Sequence, residues 1–321
     1  MGKGNAAVKQ WLKNKERFAD LFNGTMFQGK KIILPEELES IESEADILIT
    51  DKGEQTREIQ RYRDLVMRWK SGVHLVILGC ENQAKIHYAM PVRNMLYDSL
   101  SYTEQVKLIG ERSQNEPNKK MTEEEFLSKF CKDDKIYPVI TLVLYYGQKK
   151  WDASINLYDM FPKEVLKNEL EILKKYVPNY QINLVEANNI ENLEVFQTDL
   201  QEIFGMLQYR NNKKDLVNYI RTKETYFRNV DEETYQVIRE FLHSERILKK
   251  EISKGQGKGT INMCKALEDL YNDGIEQGEQ KKLLDLIKKK LEKGKTVEMI
   301  AEELEETTNT IQKLMKELDK E

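Results

Sequence analysis

The sequence predicts an α/β fold, a mixed β-sheet flanked by helices with a helical appendage at its C-terminal end. Three observations carry that prediction. Two strongly apolar runs of strand length, VHLVILGC (73–80) and YPVITLVLYYG (137–147), read as strands buried in a sheet. Between them, a long stretch opened by Pro91 has helical spacing. Beyond residue 163 the pattern is mainly helical, and it ends in a charged tail.

In chain order, residues 8–23 place Val8, Trp11, Leu12, Phe18, Leu21 and Phe22 close to helical spacing, and Asn23-Gly24 reads as the stop of that helix. The acidic segment LPEELESIESEAD leads into a short strand, DILIT, that turns at Asp51-Lys52-Gly53. DLVMRW, a turn at Lys70-Ser71-Gly72 and VHLVILGC together read as a β-hairpin. The helix PVRNMLYDSLSYTEQVKLI offers Met95, Leu96, Leu100, Val106 and Leu108 as the apolar positions of one packed face. A polar loop and MTEEEFLSKF precede the second buried strand, which closes at Gly147 and is followed by Trp151. YQINLVEA offers one further strand within the helical stretch. KGQGKGT (254–260) carries three glycines in seven residues and reads as a linker.

Composition narrows the function. The chain has 321 residues, 40% of them apolar and a third charged, enough for two or three domains and a substantial core. No aliphatic stretch is long enough to span a bilayer, and MGKGNAAVKQW lacks the apolar core of a secretory signal. The expected location is the cytoplasm. Cys80, Cys131 and Cys264 lie far apart, as do His74, His87 and His243, so neither a disulfide framework nor a zinc site is indicated. A net charge of −4 argues against a broad basic patch, although a divalent metal supplies positive charge locally.

The hairpin raises the chemical question, because its second strand runs straight into Glu81, Gln83 and Lys85. In an antiparallel hairpin centred near Ser71, Asp64 at the start of the first strand comes near Glu81 at the end of the second. Two carboxylates and an amide oxygen suit a hard cation such as magnesium or manganese. A metal there polarises a phosphoryl oxygen and activates a water, and Lys85 can position that water or stabilise charge on phosphate. On spacing alone, a solvated turn is the competing reading. Asp46, on its own strand, ranks second for the first ligand position. Glu16 and Asp20, four apart on the first helix, read as a solvated helix face. Arg93, one turn into the helix after the hairpin, is a candidate phosphate contact.

RDLVMRW with VHLVILGCENQ, then HYAMPVRNMLYDSLSYTEQ and PVITLVLYYGQKKW, closely resemble the Rpn family of YhgA-like transposases, recombination-promoting nucleases of the PD-(D/E)XK superfamily. The resemblance covers roughly residues 10–160 and, more loosely, the rest. It implies a restriction-endonuclease-like fold and magnesium-dependent DNA cleavage by a cytoplasmic homodimer, with recombination, transposition and phage defence as roles by analogy. Asp64 and Glu81 would be the metal ligands, with Asp46 and, where the superfamily often adds an acidic ligand on the first helix, Glu16 or Asp20 as further acidic candidates. Gln83 stands where the wider superfamily has lysine, which leaves the general base open, with Lys85 the substitute. The expected organisation is a nuclease core (1–160), a helical extension (161–253), the linker and a C-terminal module (261–321). In that module, TVEMIAEELEETTNTIQKL has helix–turn–helix spacing without the usual glycine at Glu305-Glu306-Thr307, so dimerisation or regulation is an equal reading. A catalytically silent DNA-binding protein of the same fold is the alternative function, and a plain helical interaction protein the third.

Overall fold

Five strands, hydrogen-bonded in the order Leu38–Ser40, Leu65–Trp69, Val73–Gly79, Val139–Tyr145 and Asn183–Glu186, form the sheet on which the first part of the chain is built. The computed structural model describes residues 3–41, 47–50, 56–59, 65–70, 72–79, 86–115, 121–162, 164, 170–242 and 259–318. Along the chain run α1 (Lys3–Leu12), α2 (Lys15–Phe27), β1 (Leu38–Ser40), β2 (Ile47–Thr50), β3 (Thr56–Ile59), β4 (Leu65–Trp69) and β5 (Val73–Gly79). Then follow α3 (Met90–Asn115), α4 (Glu123–Ser128), β6 (Val139–Tyr145), α5 (Leu170–Leu173), β7 (Asn183–Glu186) and α6 (Leu200–Tyr209). The last helices are α7 (Lys213–Thr222), α8 (Glu224–Phe227), α9 (Glu232–Phe241), α10 (Met263–Leu291), α11 (Val297–Glu303) and α12 (Thr308–Leu318). Two units separate by contact, Met1–Tyr219 with Asp231–Glu245 and Ile220–Val230 with Arg246–Glu321.

In the first unit the expected hairpin is present. β4 pairs antiparallel with β5, with Leu65 opposite Ile77 and Trp69 opposite Val73. Lys70 (φ 49°) and Gly72 (φ 147°) supply the left-handed backbone that turns it. β5 then pairs parallel with β6, and β6 parallel with β7, so the sheet is mixed. β2 and β3 form a separate two-stranded ribbon, which is where the DILIT strand goes.

Two helical expectations need correction. Residues 8–23 do not form one helix that stops at Asn23-Gly24. The chain breaks earlier, at Asn14, whose side chain caps α2 by accepting from Glu16 N (2.9 Å) and Arg17 N (3.1 Å). Asn23 is buried inside α2 and acts as a backbone surrogate. Its amide donates to Ile33 O (2.8 Å) and accepts from Ile32 N and Ile33 N (3.1 and 2.9 Å). Gly24 leaves room for Phe196, whose Cε1 would lie 2.3 Å from an added Cβ.

The second correction concerns the packed face of α3. Leu96 and Leu108 are exposed, whereas Met90, Asn94, Ser101 and Gln105 are buried. The inward face recurs every three or four residues as expected for a helix, but most of it is polar.

Helices α1, α2, α6 and α9 are tied together at Arg17. Its guanidinium makes a bidentate pair with Asp199 (2.8 Å twice), reaches Asp231 (3.2 Å) and Thr234 Oγ1 (3.1 Å), and lies over the Trp11 ring. Trp11 Nε1 in turn donates to Thr234 Oγ1 at 3.0 Å.

In the second unit, Ile287, Ile300, Ala301, Ile311 and Leu314 form a small core between α10, α11 and α12. The turn from α11 to α12 uses Glu305 at φ 56°, the conformation that glycine ordinarily supplies. Glu303 is held by both Lys290 and Lys295, whose hydrogen bonds bring its carboxyl down to about 2.

Two predictions follow from these caps. Glu305→Gly relieves the left-handed backbone and stabilises the second unit by about 1 kcal/mol, read as a raised midpoint in urea denaturation. Asp231 caps α9 through Thr234 N (2.9 Å). Burial opposes its ionisation, but hydrogen bonds from Thr234 and the Arg17 charge outweigh it and hold the carboxyl below its ordinary 3.8. Asp231→Ala therefore costs about 1 kcal/mol in the same assay. The difference from wild type is full above pH 3.8 and fades as pH falls through the lower folded value.

Candidate active site

Because β5, β6 and β7 run parallel, their carboxyl ends lie at one edge of the sheet. The antiparallel β4 brings its start, Leu65, to that same edge. Asp64 immediately precedes Leu65 in sequence, and Glu81, Gln83 and Lys85 follow Gly79. Those four residues and Asp46 lie outside the described residues. The structure does describe the frame around the hairpin.

On the side of β6, that frame is closed by a tight turn. An added Cβ at Gly147 would meet Tyr145 Oη at 2.2 Å, so only glycine fits there. Arg210 donates to Tyr146 O (2.6 Å) and to Gly147 O, while Asn188 also donates to Gly147 O (3.2 Å). Burial of the Arg210 guanidinium lowers its pKa, and the two carbonyls are what hold it there. Tyr145 and Trp151 meet edge to face at 5.1 Å, packed with Val66, Met90, Val143 and Ile182.

On the other side, the first turns of α3 are fixed by a polar cluster. Asp98 accepts from Thr141 Oγ1 (2.6 Å) of β6 and from Tyr180 Oη (2.5 Å). Tyr180 Oη accepts from Asn94 Nδ2 at 2.5 Å. Burial, together with the hydrogen bond to Asp98, pushes the Tyr180 phenol well above its ordinary range. Sequence reading did not single out Asn94, Asp98, Thr141 or Tyr180. The available signal was the polar spacing 94, 98, 101, 105, which places one stripe along α3.

The described candidates can now be placed. Arg93 is half-buried in the first turn of α3, with its guanidinium 5.6 Å from the centre of the Tyr97 ring. His87 precedes the helix, and burial and the Arg93 charge lower its pKa. Glu16 is exposed in the first turn of α2, where the helix dipole favours a carboxylate. Asp20 departs from the solvated-face reading, since it is 6% exposed. Its oxygens accept from Gln197 N (2.9 Å), Thr198 N (2.7 Å) and Thr198 Oγ1 (2.6 Å), which anchors the loop before α6. Among the described residues no group of three or more His, Cys, Asp or Glu side chains could hold a metal, and no helix is long and apolar enough to cross a membrane.

Tyr180→Phe removes a donor from Asp98 and an acceptor from Asn94, and is expected to cost about 1–3 kcal/mol in urea denaturation. Its phenol is also expected to stay protonated in an alkaline absorbance titration for as long as the protein remains folded.

Residues 121–238 match the family model described as "Putative transposase, YhgA-like". No curated protein and no solved structure matches the chain.

Proposed function

We propose that the chain belongs to the YhgA-like transposase family, whose model its residues 121–238 match, and that it is a metal-dependent DNA endonuclease of the restriction-endonuclease-like class. The observation that carries this reading is the antiparallel pairing of β4 with β5, flanked in sequence by Asp64 and by Glu81, Gln83 and Lys85. In open α/β sheets ligands bind outside the carboxyl ends of the strands, which is the edge where this hairpin opens.

The donors that Asp64, Glu81 and Gln83 offer are all oxygen, which fits magnesium or manganese and not a sulfur-seeking metal. Asp64 and Glu81 would hold the ion, with Asp46 and Glu16 as further acidic candidates. The bound ion supplies Lewis-acid activation of a phosphoryl oxygen and of water. Gln83 orients that water through its amide oxygen but cannot take its proton at neutral pH. Lys85 would take the place of the superfamily lysine, holding the water and neutralising charge that develops on the phosphoryl oxygens. Arg93, braced by Tyr97 and carried on the turn that Asp98 and Tyr180 fix, contacts a phosphate of the DNA backbone. Two chains, with one site for each strand, complete the proposal for duplex DNA.

A second reading, a silent DNA-binding protein of the same fold, is favoured by Gln83 at the lysine position. Plasmid nicking with magnesium or manganese separates the two. The expected result is cleavage by wild type and a loss of at least about 100-fold in both Asp64→Ala and Glu81→Ala with DNA binding retained. Magnesium is also expected to raise the melting temperature of wild type and not of either variant. Salt-dependent DNA binding with no cleavage by any form would establish the second reading. Cleavage that survives both substitutions would put the site elsewhere.

A further inference from the structure

At the edge of the sheet opposite the carboxyl ends lies a cleft of about 310 Å³, beside the β4–β5 turn. Three cationic side chains line it, Arg68 from β4, Arg112 from α3 and Lys135 from the loop before β6, and no carboxylate does so among the described residues. The chain's net charge of −4 conceals this local concentration. Arg68 meets Glu39 at 3.6 Å, but the two side chains are 41% and 72% exposed, so solvent screens that pair and an incoming anion can displace it.

Tyr137 lines the cleft, and its backbone is held in place. Gln105, 6% exposed, donates to Tyr137 O (3.1 Å) and accepts from Tyr137 N (2.7 Å), gripping the backbone of that residue on both sides. The Tyr137 ring crosses the hairpin turn at Gly72, where an added Cβ would come within 2.4 Å of Cδ2. Although 43% exposed, the ring is therefore seated by a glycine that leaves space for it and an amide that fixes its backbone. No step of the proposed cleavage uses any of these groups.

We propose that this cleft binds a nucleoside monophosphate unit, with the phosphate between Arg68, Arg112 and Lys135 and the base against Tyr137. Arginine presents a planar fork that matches phosphate, and an aromatic face takes any base by stacking. A volume near 310 Å³ sits at the lower end for small-molecule sites, which suits one nucleotide and not a duplex. The same chemistry comes from two sources, a free mononucleotide and the 5′-phosphorylated end of a DNA strand.

The test is calorimetric titration of the full chain, without added metal, with 5′-AMP, inorganic phosphate, and a short single-stranded oligodeoxynucleotide carrying either a 5′-phosphate or a 5′-hydroxyl. The expected result is binding of 5′-AMP or of the phosphorylated strand, weakened about tenfold or more in Arg112→Glu and in Lys135→Glu. Both side chains are exposed, and unchanged melting temperatures would confirm that these variants fold. Tyr137→Leu should weaken 5′-AMP and leave inorganic phosphate unchanged, and Arg68→Gln gives an independent loss should either reversal disturb folding. Tighter binding of the phosphorylated strand than of 5′-AMP identifies a strand end as the source, and the reverse order identifies a free nucleotide. Failure of wild type to bind either one, or binding indifferent to both charge reversals, would overturn the proposal. Because no metal is added, the outcome is independent of the Asp64–Glu81 reading.

Discussion

The parallel pairing of β5 with β6 is the constraint on which the rest of the first unit depends. A hairpin alone needs only a tight turn, but a parallel neighbour obliges the chain to return across the sheet before it can pair again. The segment between β5 and β6 includes the 26-residue α3, about 40 Å of helix. With the parallel pairing of β6 and β7, the β5–β6 pairing gathers three carboxyl ends at one edge and leaves the hairpin turn at the other. A site at either edge is therefore built from residues far apart in sequence, held in register by main-chain hydrogen bonds that do not depend on side-chain identity.

The inner face of α3 shows how that crossover is fixed. A helix packed by aliphatic side chains alone can slide or rotate at modest cost, because dispersion is non-directional. Here Asn94, Asp98 and Gln105 instead make directed bonds to Tyr180, Thr141 and the Tyr137 backbone. Breaking one of them leaves a buried polar group unsatisfied, which costs more than the bond's net worth. The helix is thereby fixed in rotation and translation, which serves the residues at both of its ends: Arg93 in its first turn and Arg112 in its last.

What was legible in the sequence follows from how local each signal is. The β4–β5 hairpin could be read because apolar runs and turn residues occur within seventeen consecutive positions of the chain. The mixed sheet with flanking helices followed from the order of those runs. The inner face of α3 was not legible, because Leu96 and Leu108 satisfy the hydrophobic period while the partners that admit Asn94 and Gln105 lie 86 and 32 residues away. Asn14 and Asn23 illustrate the same limit. Both are good terminators by composition, but only tertiary contacts decide that the first caps a helix and the second stands in for a missing backbone partner inside one. The Glu305 turn had the spacing of a helix–turn–helix and the wrong residue. Backbone geometry prevailed there because the apolar residues on either side fill one core.

The family match and the candidate catalytic residues occupy different stretches of the chain, and the sheet joins the matched stretch to the hairpin that lies between Asp64 and Glu81 in sequence. Residues 121–238 contain β6 and β7, the Arg210 clamp and Tyr180, which together form the scaffold. The hairpin that leads to Asp64 and Glu81 precedes that segment and is joined to it through the β5–β6 ladder, from His74 opposite Val139 to Gly79 opposite Leu144. Since the side-chain period of a strand is two, a one-residue slip of that ladder would turn every side chain of β5 to the opposite face. The alignment of the hairpin with the matched scaffold is therefore set by the ladder register, and Thr141 of that ladder is bonded to Asp98 of α3.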